Sequence, residues 1–71
     1  MYVVEVEERI DARMSRRTGA SYRSPPQPLE GARTLAALLL GIEEAPEGEG
    51  PWRRPLAGGT RVVRLVSVAP G

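Results

Sequence analysis

Arginine is the one strongly basic side chain in this chain of 71 residues: there are ten, with no lysine and no histidine. Its planar guanidinium donates parallel hydrogen bonds to phosphate and carboxylate, so arginine clusters point to anion binding. Two clusters are candidates for a nucleic-acid surface: Arg13, Arg16 and Arg17 with Tyr22 and Arg23, and the pair Arg53 and Arg54. An aromatic beside arginine can also stack on a base. Trp52 directly precedes Arg53 and Arg54, the composition of an interface anchor. The more ordinary expectation for Trp52 is that it closes the edge of the core.

Catalytic chemistry has little support. Histidine, cysteine and lysine are absent, so imidazole, thiolate and lysine-amine mechanisms are missing. The serines and threonines have no such base to activate them. A pair of glutamates could act as acid and base on a glycosidic bond, but a chain this short predicts no pocket of the size needed. Glu43, Glu44, Glu47 and Glu49 could offer oxygen ligands to a hard cation. They lack the alternating pattern of a calcium loop, and a solvated acidic loop is the better reading. Gly48-Glu49-Gly50 and Gly58-Gly59-Thr60 do not extend to nucleotide-binding fingerprints. The expectation is therefore a non-enzyme with no cofactor and no metal.

The elements that must position these residues follow from periodicity. Tyr2, Val4, Val6 and Ile10 alternate with Val3, Glu5, Glu7 and Arg9, which predicts a half-buried strand. Arg17-Thr18-Gly19 reads as a turn, and Ala20 to Ser24 as the returning strand of a hairpin. Pro25, Pro26 and Pro28 should then end sheet pairing and lead rigidly into a helix. That helix is predicted over Leu29–Leu40, with an apolar stripe of Ala32, Leu35, Ala36, Leu38, Leu39 and Ile42. Gly41 is placed to end it, and Ala32 and Ala36 should let it approach a sheet closely.

Residues 43–51 read as an acidic, flexible loop. Beyond it, Gly58-Gly59 predicts a two-residue type I′ turn between a strand from Trp52 and a Val-rich strand over Thr60–Val68. Pro55 puts the first of these at an edge. The last has apolar residues on both faces, as a central or dimer-facing strand would. The fold class is α+β: a small antiparallel sheet in β-β-α-β-β order with one amphipathic helix on one face, forming a single domain over 1–71.

Charge is segregated. Counting acids against arginines, residues 1–11 carry −3, 12–29 carry +4, 30–50 carry −4 and 51–71 carry +4. Either the Glu5/Glu7 face pairs across strands with Arg61 or Arg64, or Arg13, Arg16, Arg17, Arg23, Arg53 and Arg54 converge on an anion. A net charge of +1 gives no global pull toward nucleic acid. Arg, Ala, Gly and Pro make up nearly half the chain, and all have GC-rich codons, so genome composition accounts for much of the arginine bias.

One helix cannot cover both faces of the sheet, so the expected function is a small binding or regulatory module. It would act through a protein interface and self-associate, as a homodimer. Trp52, Arg53, Arg54, Val63 and Leu65 are the expected contact residues, on the face away from the helix. The alternative is a nucleic-acid binder using the arginine-rich hairpins. No apolar run approaches bilayer-spanning length. The acid-rich residues 1–11 do not read as a secretory leader, and the expected location is the cytoplasm.

Overall fold

The computed structural model describes residues 1–10 and 21–69. In chain order the elements are β1 (Tyr2–Ile10), β2 (Ser21–Arg23), α1 (Leu29–Leu40), β3 (Trp52–Leu56) and β4 (Gly59–Ser67). The four strands form one antiparallel sheet in the order β2-β1-β4-β3. The helix packs on one face, giving the α+β architecture. Arg13, Arg16 and Arg17, and with them the expected turn at Arg17-Thr18-Gly19, lie outside the described residues. Among the described residues no helix is long and apolar enough to cross a membrane.

β1 and β4 form the spine, paired along their full lengths from Tyr2↔Ser67 to Ile10↔Gly59. Val4 faces Leu65 and Val6 faces Val63, so these four side chains share a face. They join Ala32, Ala36 and Leu40 of α1 in the buried core, with Tyr2, Leu35, Leu39, Ala45 and Trp52 packed around it. The two alanines are fully buried, and their small side chains let the helix sit close to the sheet.

The helix occupies the predicted span, with Glu30 in its first turn and Pro28 at its N-cap. Its buried stripe runs Ala32, Ala36, Leu40, at four-residue spacing. Leu38 lies 200° around the helix from Ala36 at about 100° per residue, and it is 71% exposed. Its assignment to the apolar stripe is thereby corrected. Gly41 adopts φ 71°, the left-handed conformation that favours glycine. Its N–H donates to the Leu38 carbonyl and that of Ile42 to the Ala37 carbonyl, the paired bonds of a Schellman ending.

Three local expectations change. The prolines after β2 interrupt pairing without ending it, because Ser24 and Gln27 keep free N–H groups. Gln27 exchanges two backbone hydrogen bonds with Tyr2, at 2.8 and 2.9 Å. Ser24 is buried and serves Val4 twice: its N–H donates to the Val4 carbonyl, and its Oγ accepts the Val4 N–H at 2.8 Å. At the other hairpin, Leu56 pairs with Gly59, so the turn residues are Ala57 and Gly58. Only Gly58 of that pair has positive φ, whereas a type I′ turn needs it at both. Gly59 instead lies inside the sheet, where a Cβ would collide with the Arg9 carbonyl oxygen. Finally, the acidic loop has anchors. Ala45 packs on the core and its carbonyl accepts from Arg33 Nη2 at 2.8 Å, while the Glu49 carbonyl accepts the Leu65 N–H at 2.9 Å.

Candidate functional site

Strand alternation divides the sheet into two chemically distinct faces. The odd-numbered residues Glu5, Glu7 and Arg9 of β1 point away from the helix. They share that face with Val62 and Arg64 of β4, Arg53 of β3, and Ser21 and Arg23 of β2. This open face holds a shallow groove of about 430 Å3, lined by those residues and Pro51. It is bordered by Val6 and Tyr22, which pair with each other and by alternation belong to the helix face.

Its charges are ordered in rows across the strands. Arg64, Glu5 and Arg23 are neighbours on β4, β1 and β2. Glu5 Oε1 accepts from Arg64 Nε at 2.8 Å, and Arg64 Nη2 lies 2.7 Å from the same oxygen. Glu5 Oε2 lies 3.7 Å from Arg23 Nε. One carboxylate thus bridges two guanidinium groups and ties the edge strand to the centre. The next row runs Arg53, Val62, Glu7, Ser21 across all four strands. Glu7 pairs with Arg9 at 3.3 Å along β1. Among the described residues Arg53 takes part in no ion pair. Both arginines bound to Glu5 are more than half exposed, so each pair contributes only about 0.2–1 kcal/mol and acts mainly on register. The groove carries four arginines against two glutamates, a local surplus of positive charge.

The residues expected to contact a partner divide between the faces. Val63 and Leu65 are buried, 0% and 3% exposed, beneath the helix. The outward apolar residue of the same strand at the groove is Val62, one position away. Trp52 is half-buried and packs at the rim of the core. Arg54 shares its face, with Nη1 3.5 Å from the Leu39 carbonyl at the helix C-terminus. Arg53 alone of the five lies in the groove. Of the residues expected to meet nucleic acid, Arg23 and Arg53 lie on the open face, while Tyr22 borders the groove and is exposed but pairs with Val6, on the helix face by alternation.

Arg9 and Val62 were not singled out by sequence reasoning, and Arg64 was expected only as a cross-strand partner of the Glu5/Glu7 face, a pairing it makes with Glu5. The signal existed, since Arg9 continues the alternation of Glu5 and Glu7 along β1, and Val62 and Arg64 alternate in the same way on β4. What was missing was the knowledge of which face the helix takes.

The helix-side arginines have a structural task. Arg61 donates to Glu8 Oε1 from Nε at 3.1 Å and from Nη2 at 2.8 Å, while its Nη1 donates to the Leu39 carbonyl at 2.9 Å. The last turn of the helix contains no basic residue of its own. Arg54 and Arg61 reach it from the sheet, where cations favour the negative end of the helix dipole. Among the described residues, no group of three or more acids is placed to hold a metal ion. Comparison with protein-family models, curated proteins and solved structures finds no match, so function must be read from the chemistry of the face itself.

Proposed function

We propose that the protein is a non-catalytic binding module whose open sheet face contacts another protein, the first partner being a second copy of the chain. The observation that carries this reading is the groove opposite the helix, where charges of both signs surround Val62 and Pro51. Ordered charges of both signs suit a protein surface, because complementary pairs set the register of an interface. They suit a phosphate backbone less well: a phosphate approaching Arg23 or Arg64 would displace Glu5 or meet its charge. Self-association also fits a chain of this length with no disulfide, where an interface adds stability that a small core lacks.

Sedimentation of the chain from micromolar to millimolar concentration should show a reversible monomer–dimer equilibrium. Amide chemical shifts should change with concentration at Glu5, Arg53, Val62 and Arg64. A monomer throughout that range overturns the reading. A gel shift with mixed DNA and RNA at low salt should show no complex. A shift that weakens steeply as salt rises would replace this reading with nucleic-acid binding, through counterion release from phosphate contacts.

A further inference from the structure

We infer that the segment docking in the groove is the acidic loop of the second copy, with Glu47 of one chain meeting Arg53 of the other. This rests on the self-association reading above and supplies its missing half, the surface that the groove recognises.

Three features support the pairing. The first is charge. Glu43, Glu44, Glu47 and Glu49 are exposed, and among the described residues none takes part in an ion pair. The groove has the opposite surplus, with Arg53 equally free of ion pairs among the described residues. The second is presentation. Pro46-Glu47-Gly48 is flanked by two anchored positions, Ala45 on the core and Glu49 hydrogen-bonded to β4. A loop held at both ends loses less conformational freedom on docking than a free one. The third is placement. Pro51 lines the groove and follows Glu49 by two residues, so loop and groove share the β3 edge of the sheet. A two-fold axis beside that edge brings each loop to the other copy's groove, and the contact forms twice, as an isologous interface requires.

Charge reversal tests this directly. Arg53→Glu and Glu47→Arg both alter exposed side chains, and circular dichroism will report whether each variant keeps the fold. Each variant alone places like charges at both contacts, and its self-association should weaken at least about tenfold. Mixing the two variants should restore a dimer. In that heterodimer one contact has the original pair and the other the reversed pair. The wild-type dimer should also weaken as salt rises, since these contacts are exposed to screening.

If the wild type dimerises and Arg53→Glu disrupts it, but Glu47→Arg has no effect and mixing restores nothing, the groove stands as an interface and the loop assignment is overturned. The same holds if the dimer is insensitive to salt. A wild-type chain that stays monomeric overturns both. Should Arg53→Glu fail to fold, Arg53→Gln paired with Glu47→Gln replaces it. Each neutral variant should then weaken association, and the double variant should lose no more than the larger single loss.

Discussion

Replacing Arg61 with alanine tests whether the sheet arginines hold the helix end. In the native fold the Arg61 guanidinium spans from Glu8, its cross-strand partner, to the Leu39 carbonyl. The carbonyls of Ala37 and Leu38 are already satisfied by the Schellman bonds, so Leu39 is the last-turn carbonyl that the arginines serve. Two losses add. The ion pair is partly solvated, with side chains 22% and 35% exposed, so it contributes about 0.5–1 kcal/mol. A charged donor to a helix carbonyl is worth about 1.5–3 kcal/mol, reduced to about 1 kcal/mol because Arg54 stands 3.5 Å away and can tighten. Arg61→Ala should therefore destabilise the fold by about 2 kcal/mol, which lowers Tm by roughly 8–16 °C for a chain of this size. Urea denaturation gives the free energy. Glu8→Gln should cost about 0.5–1 kcal/mol in the wild type and little in the Arg61→Ala background, by the logic of a double-mutant cycle. Arg61→Ala and Arg54→Ala together should lose more than the sum of the two, since Leu39 then has neither donor. A loss below about 0.5 kcal/mol for Arg61→Ala would refute the assignment, because surface substitutions fall in that range.

Three further substitutions test the face assignment and the local geometry. Val63→Ala removes two methyl groups from a fully buried site and should cost about 2–3 kcal/mol, whereas Val62→Ala on the open face should cost under about 1 kcal/mol in the monomer; equal losses by urea denaturation would contradict the register. Ser24→Ala removes the acceptor of the buried Val4 N–H and should cost about 1–3 kcal/mol, with faster hydrogen exchange at the Val4 amide; unchanged protection there would sink this account. Leu38→Gln should leave thermal stability within about 0.5 kcal/mol, because the side chain is already in solvent; a loss of several kcal/mol on that change would place Leu38 in the core after all.

Local pattern carried most of the architecture. The alternation in β1, the helix span, the left-handed Gly41 and the Pro55 edge strand are set by neighbours within a few residues, and such preferences are legible without tertiary contacts. The turn at Ala57-Gly58 was displaced by one residue, because Gly59 is required for a different reason. Its Cα approaches the Arg9 carbonyl, some fifty residues earlier in the chain, and no local motif encodes that collision. The pairing of Gln27 with Tyr2 was hidden in the same way, by prolines whose local preference argues against a ladder.

For the candidate site, composition already excluded histidine, cysteine and lysine chemistry, and periodicity separated each strand into two sets of side chains. Neither could decide which set the helix covers. That choice was made by packing: Val63 and Leu65 meet Ala32, Ala36 and Leu40, and so Val62 and Arg64 are left facing outward. The arginines were visible as blocks along the chain, and pairing of Arg64 with the Glu5/Glu7 face was one of two readings that alternation offered. Arg23 as a second partner of Glu5 and Glu8 as the partner of Arg61 were not visible. Pairing across the sheet places Arg64 and Arg23 on Glu5 and Arg61 on Glu8. The distances that distinguish a structural arginine from an unpaired one arise only when remote strands come together, because electrostatic attraction depends on separation in space and not along the chain.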